Sequence, residues 1–334
     1  MKQSLGEFEL IRRYFQRPVQ RSPLGVGDDC ALLAPAPGMQ LAVSSDMLVQ
    51  GRHFLPDVDP RLLGHKALAV NLSDLAACGA RPLAFTLALA LPRADAAWCQ
   101  AFSTGLFELA EAHNCELIGG DTTQGTLNIC ITVFGEVPSG RALLRSGAQV
   151  GDDLWVSGFP GEARLALEAF RGSLHPGLST EAFEATRLAM ERPDPRVALG
   201  VGLRGLATAA IDVSDGLLGD LGHVLRRSRV GVSLCLDELP VSPWLATRSP
   251  DERLDCILAG GDDYELLFTT PPAQRERVAQ LGAELGLVLS RIGQIEAEPG
   301  LRLWRGASAV AEPAEGREAV PNRWTSFDHF KGAA

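Results

Sequence analysis

The sequence predicts two mixed α/β domains (class α/β, in the α+β sense), and three observations predict them. The chain has 334 residues, 46% of them hydrophobic, which is enough for two cores rather than one. Strand-like and helix-like segments mix throughout, at hairpin as well as crossover spacings. The run divides near residues 138 to 150, so 1–138 forms one domain and 150–334 the other.

The elements follow in order. Ser4-Leu5-Gly6-Glu7 reads as a capping box opening a short helix through Tyr14. Leu41 to Val49 reads as a strand. Asp59-Pro60 supplies an N-cap with proline at the first helical position, and the helix runs to about Cys78 with Gly79 as its stop. The apolar run between Pro82 and Pro92 has the length and flanks of a buried strand. Asp95 caps a helix through His113; Glu116 to Ile118 is a short strand ending at Gly119-Gly120-Asp121, and Leu127 to Val137 is another. In the second domain, strands are expected at 153–157, 207–213, 230–236, 264–270 and 288–295, with helices at 162–171, 217–227 and 273–285.

Composition excludes several classes. The net charge is −10, and lysine occurs only at 2, 66 and 331, so a polyanion would be repelled over most of the surface and nucleic acid is not the expected ligand. No apolar run reaches the roughly 18 residues of a membrane span, and the N-terminus has no secretory pattern. The seven cysteines are scattered singly with no Cys-x-x-Cys, which fits a reducing cytoplasm rather than a disulfide framework or zinc site.

The informative feature is where the acids lie. Aspartates recur beside glycine or serine at expected strand ends and turns: Gly27-Asp28-Asp29, Ser44-Ser45-Asp46, Gly119-Gly120-Asp121, Asp212-Val213-Ser214-Asp215-Gly216 and Gly260-Gly261-Asp262-Asp263. Asn71 and Asp74, three apart on a helix, share a face. Two carboxylates ~4 Å apart repel by roughly 4 kcal/mol at an effective dielectric near 20, so a convergent set implies cations. Magnesium takes oxygen ligands, often only one or two carboxylates per ion beside water and phosphate, and phosphoryl transfer uses such ions. Any one Gly-Asp-Asp also reads as a plain turn, and Gly151-Asp152-Asp153 is assigned to that. Gly200-x-Gly202-x-x-Gly205 precedes a strand rather than following one, so it is read as a helix end and turn, not a dinucleotide loop. No P-loop and no protein-kinase motif occurs. Phosphates would then meet metals, glycine-turn amides and arginine, with Arg145 a candidate.

Six motifs stand in a shared order: Gly-Val-Gly-Asp-Asp-Cys-Ala (25–31), Ser-Ser-Asp-Met-Leu-Val-x-Gly-x-His-Phe (44–54), the segment 66–80 around Asn-Leu-Ser-Asp, Ile-Gly-Gly-Asp-Thr-Thr (118–123), Ile-Asp-Val-Ser-Asp-Gly-Leu (211–217) and Gly-Gly-Asp-Asp-Tyr-Glu-Leu (260–266). In this the chain resembles the thiamine-monophosphate kinases, of the aminoimidazole-ribonucleotide-synthetase-like superfamily, over nearly its whole length. The resemblance implies an N-terminal ATP- and metal-binding domain whose sheet pairs with its twin's into a barrel-like homodimer, and a larger C-terminal domain completing the active site. It implies direct in-line transfer from ATP to thiamine monophosphate, aided by several magnesium ions and without a catalytic side chain. It carries metal roles onto Asp29, Ser44, Ser45, Asp46, Asp74, Asp121, Asp212 and Asp215. ATP contacts fall on Gly120, Asp121, Arg145 and Ser214, and substrate contacts on His53, Asp262 and Phe327. An acid at Asp262 and a ring at Phe327 suit a cationic heterocycle, since a cation over a ring is worth ~0.5–2 kcal/mol. Position 262 is often glutamate in the family, and 44 or 45 often threonine; both departures keep the functional group. An aminoimidazole-ribonucleotide-synthetase-like ligase and a non-catalytic magnesium–nucleotide-binding protein stand as alternatives.

Overall fold

In a computed structural model, residues 6–27, 29–306 and 318–325 are described. The chain falls into two compact units. One is Met1–Leu75, Ala80–Gly140 and Glu191–Pro195; the other is Ala76–Gly79, Arg141–Met190 and Arg196–Ala334.

The first unit opens with α1 (Glu7–Leu10), which continues as a π-helical turn over Ile11–Phe15. Its N-cap is Gly6, with no side-chain cap; Ser4 of the expected capping box lies outside the described residues. Then come β1 (Met39–Val49), α2 (Pro60–Ala77), β2 (Arg81–Leu91), α3 (Ala96–Ala112), β3 (Glu116–Gln124) and β4 (Asn128–Pro138). The helix signals act as expected. The Asp59 carboxylate accepts from Arg61 N–H at 2.8 Å, and Gly79 leaves α2 at φ +64°. Asp95 accepts from the N–H groups of Ala97 and Trp98, and these bonds hold its carboxyl below its ordinary value.

The sheet order is β1-β4-β2-β3, antiparallel except for the parallel pair β2–β3. One correction concerns β3: the expected strand ended at Ile118, whereas the observed one runs through Gly119-Gly120-Asp121 to Gln124. Parallel pairing with β2 continues past the glycines, after a register shift between Phe85 and Thr86. Gly120 makes this possible: at φ +144° its Cα lies so close to Leu87 that an added Cβ would stand 1.9 Å from that carbonyl oxygen.

The second unit contains β5 (Asp153–Ser157), α4 (Glu162–Phe170), α5 (Thr180–Glu191), α6 (Val197–Gly202), β6 (Ala209–Asp212), α7 (Leu217–Ser228), β7 (Gly231–Cys235), α8 (Pro243–Ala246), α9 (Pro250–Ala259), β8 (Leu266–Thr270), α10 (Arg275–Leu285), β9 (Leu289–Glu296), β10 (Gly300–Arg305) and β11 (Glu318–Val320). Its seven-stranded sheet has the order β11-β10-β7-β9-β5-β8-β6. Leu154, Val156, Ile211, Leu221, Val232, Leu234, Ile257 and Leu267 form part of one core between that sheet and its helices. Gly151-Asp152-Asp153 is structural: Asp152 accepts from Thr208 Oγ1 at 2.6 Å, and Asp153 accepts a two-pronged Arg275 at 2.6 and 2.8 Å. Gly200 and Gly202 lie in α6, with Gly205 in the turn after it. Among the described residues no helix is long and apolar enough to cross a membrane.

Candidate active site

In the first unit, alternation along β1 sorts the motif. Ser44, Asp46 and Leu48 are more covered than Val43, Ser45 and Met47. The covered face meets α2. Ser44 Oγ donates to Asp74 Oδ2 at 2.5 Å, and Asn71 Oδ1 accepts the Asp46 N–H at 3.1 Å. The Asn71 amide is itself fixed by donating to the Ala67 carbonyl. Asn71 and Asp74 sit three apart, so one helical face holds both partners of the strand. Ser45 does not join them: its hydroxyl lies on the other face, 3.0 Å from Thr132 Oγ1, and donates to the Ile131 carbonyl at 3.2 Å. His53 follows β1 closely. Its Nδ1 accepts the Val49 N–H at 3.0 Å, which places the neutral ring's proton on Nε2.

Gly120 and Asp121 stand elsewhere in the same sheet. β1 and β3 are its two edges, three strand spacings apart, or roughly 14 Å. Asp121 is exposed in a cross-strand row with Ala88, Cys130 and Met47, and accepts the N–H of Thr122 at 2.9 Å. Asp29 is exposed in a loop pinned at its base by the Leu24–Leu32 bridge.

In the second unit, the 212–217 and 260–265 segments interlock. Asp212 ends β6 and is 4% exposed. The chain then turns through Ser214, Asp215 and Gly216 into α7. Ser214's carbonyl accepts the N–H of Asp262 at 2.7 Å, and Val213's accepts that of Tyr264 at 2.8 Å. Gly261, Asp262 and Tyr264 all have positive φ, at +75°, +63° and +53°. The two non-glycine values mark a strained loop, of the kind that clusters at functional sites. Gly261 is needed sterically as well, because a Cβ there would lie 2.6 Å from the Ser214 oxygen. Arg145 is exposed; with Asp215 it lies close enough to bias His223, whose proton is disfavoured first by burial and then by Arg226 and Arg145. Phe327 lies outside the described residues.

Three groups here have no role assigned from sequence, although Asp263 and Glu265 stand within the 260–266 motif. Asp220, in the first turn of α7, accepts from the N–H groups of both Ser214 (3.0 Å) and Asp215 (3.1 Å). Burial, with the charges of Asp212 and Asp215, pushes its carboxyl up to about 7. Asp263 accepts from Gly161 N–H at 2.7 Å while its other oxygen, buried, has no hydrogen-bond partner among the described residues; burial raises its pKa well above its ordinary value. Glu265 is clamped by Arg196 at 2.6 and 2.8 Å and accepts a hydrogen bond from the Ser157 hydroxyl. A carboxylate four to six residues after a Ser-Asp-Gly turn was the available signal for Asp220.

The donors fit a hard cation: hydroxyl, amide and carboxylate oxygens, with no thiolate among them. Among the described residues no three His, Cys, Asp or Glu side chains are grouped so as to hold a metal ion unaided. An ion here would complete its shell with water and phosphate, as magnesium does.

Two family models match the chain. Residues 27–137 match the N-terminal domain of AIR synthase related protein, and residues 149–305 the C-terminal domain. These define the class, a two-domain AIR-synthase-related protein. The thiamine-monophosphate kinase of Escherichia coli K12 is 45% identical over 97% of this chain and 98% of its own. The crystal structure of thiamine-monophosphate kinase from Stenotrophomonas maltophilia K279a is 47% identical, with a TM-score of 0.81, over 89% of this chain and 94% of that one. The structure of AaThiL complexed with AMPPCP and TMP is 29% identical, with a TM-score of 0.71, over 81% and 85%. The chain belongs to the thiamine-monophosphate kinase family, and with it to the phosphotransferases.

Proposed function

We propose that this protein transfers the terminal phosphoryl group of ATP to the phosphate of thiamine monophosphate, giving thiamine diphosphate and ADP. Full-length likeness to the Escherichia coli enzyme carries the reading. The complex of AaThiL with AMPPCP, a non-hydrolysable ATP analogue, and TMP supports it. A phosphate oxygen of the acceptor attacks the γ-phosphorus in line; the bond to the β,γ-bridging oxygen breaks and ADP leaves with the electron pair. Bound magnesium ions would neutralise charge on the transferring phosphates.

In the first unit Asp29, Ser44, Ser45, Asp46, Asp74 and Asp121 are the proposed metal ligands; Ser44, Asp46 and Asp74 lie on the covered face of the sheet, and Ser45 shares the opposite face with Asp121. Gly120 and Asp121 are proposed nucleotide contacts. His53, with its proton on Nε2, is set to donate to a substrate oxygen. In the second unit Asp212 and Asp215 are proposed metal ligands, Arg145 and Ser214 nucleotide contacts, and Asp262 the acid for the cationic heterocycle; Phe327 is proposed as its ring partner.

The protein acts as a homodimer in this reading. β1 is an edge strand of 11 residues whose Leu41, Val43 and Met47 are 43%, 57% and 54% exposed. A long apolar edge invites a second sheet to cover it, and two four-stranded sheets can close into a barrel. Assay of purified protein with MgATP and thiamine monophosphate tests the activity. ATP turnover with formylglycinamidine ribonucleotide but not thiamine monophosphate would favour the synthetase alternative. Nucleotide binding without turnover of either would favour the binding protein.

A further inference from the structure

The turn between β6 and α7 is clamped from two sides. Its carbonyls are held by the 260–265 loop, through the N–H groups of Asp262 and Tyr264. Its N–H groups at Ser214 and Asp215 both point to one oxygen, Asp220 Oδ2. Asp220 is not an ordinary cap. The N-cap of α7 is Gly216, which has no side-chain cap, and a capping box would join a residue three into the helix to the N-cap itself. Asp220 instead reaches back past the N-cap to the two residues before it.

We infer that Asp220 is a positioning residue, which fixes the backbone of Ser214 and Asp215 so that the Ser214 hydroxyl and Asp215 carboxylate are presented in one direction to a phosphate and its cation. The inference rests on the phosphoryl-transfer reading above for the identity of that ligand. Stability alone does not account for an acid here. Asp220 is 3% exposed and within electrostatic reach of Asp212 and Asp215, so a neutral acceptor would hold the turn with less repulsion. A third acid beside two others suits a place that receives positive charge when the ligand binds.

The test compares Asp220→Asn and Asp220→Ala with wild type in the full chain. Asn keeps an oxygen acceptor at the same reach without the charge; Ala removes both. Two quantities are read: deuterium exchange of the Ser214 and Asp215 amides, and the magnesium concentration giving half-maximal turnover of ATP with thiamine monophosphate. Positioning predicts faster exchange in Asp220→Ala, a magnesium requirement raised by about 5-fold or more, and kcat lowered by about 10-fold or more, since small misplacements carry such costs. It predicts that Asp220→Asn keeps wild-type exchange, because the acceptor remains, while its magnesium requirement lies between those of wild type and Asp220→Ala, because the charge is gone. Wild-type exchange and magnesium requirement in Asp220→Ala, or equal impairment of both variants, would overturn it. Should Asp220→Ala not fold, Asp220→Ser takes its place, its shorter side chain leaving the acceptor out of reach. A wild type that turns over no thiamine monophosphate would refute the functional reading, while the exchange data would still decide the positioning role.

Discussion

The two acid-bearing regions are built on opposite plans. In the first unit, Ser44 and Asp46 project from a regular strand onto a regular helix, are half-buried, and meet Asp74 and Asn71. In the second, the acids sit on interlocked loops with strained backbone or on the strand and helix ends beside them, and Asp212, Asp220 and Glu265 are buried. The first plan leaves carboxylates open to a ligand without making the fold depend on them. The second ties the acids into hydrogen bonds that also hold the loops, so function and stability are coupled there and separable in the other.

The largest expected effect tests the coupled region. Arg196→Met would leave Glu265 buried without its ion partner, and losing one partner of a buried pair costs about 3–5 kcal/mol, so the variant should melt well below wild type. An unchanged melting temperature would break the contrast. Next is the separable region: Asp46→Asn should lower kcat/KM by about 100-fold, the scale of a lost charge-stabilising group, with the melting temperature nearly unchanged. Asp212→Asn should cost similar activity and, unlike Asp46→Asn, shift the melting temperature of the metal-free protein, upward because it relieves repulsion with Asp220. Gly261→Ala should destabilise by about 1–3 kcal/mol, since it puts a Cβ against the Ser214 oxygen at a positive φ.

The smallest effect is a pH dependence. Asp220's folded-state pKa lies above its unfolded value, so the native state binds more protons between the two. Its contribution to stability is therefore complete below pH ~4, near the free carboxyl value, and is lost as pH rises through about 7. His65 and His113, whose charged forms are disfavoured by burial, act in the opposite sense, so the variant comparison isolates Asp220. In metal-free protein the melting temperature should fall less between pH 5 and pH 8 in Asp220→Asn than in wild type, by at least about 2 °C. Parallel profiles would show that Asp220 does not titrate in that window.

The contrast also governs what was legible in the sequence. The first plan uses local signals. Asp59-Pro60 and Gly79 bracket α2, Asp95 starts α3, and Asn71-x-x-Asp74 announces a shared face. The second plan depends on pairings between distant segments. Nothing local says that Asp220 serves Ser214, or that Glu265 meets Arg196, 69 residues away. Asp121 shows the limit in the other direction: two glycines before an acid signalled a turn, but tertiary pairing with β2 kept the chain extended. Some local signals went unread. Ser249-Pro250-x-Glu252 is a complete capping box for α9. β10 pairs in parallel with β7, about 70 residues earlier, which nothing local announces.

The most direct test of the central claim is the product of the reaction. Purified protein incubated with MgATP and thiamine monophosphate should yield thiamine diphosphate and ADP in equal amounts, and none once magnesium is chelated. ADP formed without thiamine diphosphate, or no turnover with magnesium saturating, would contradict it.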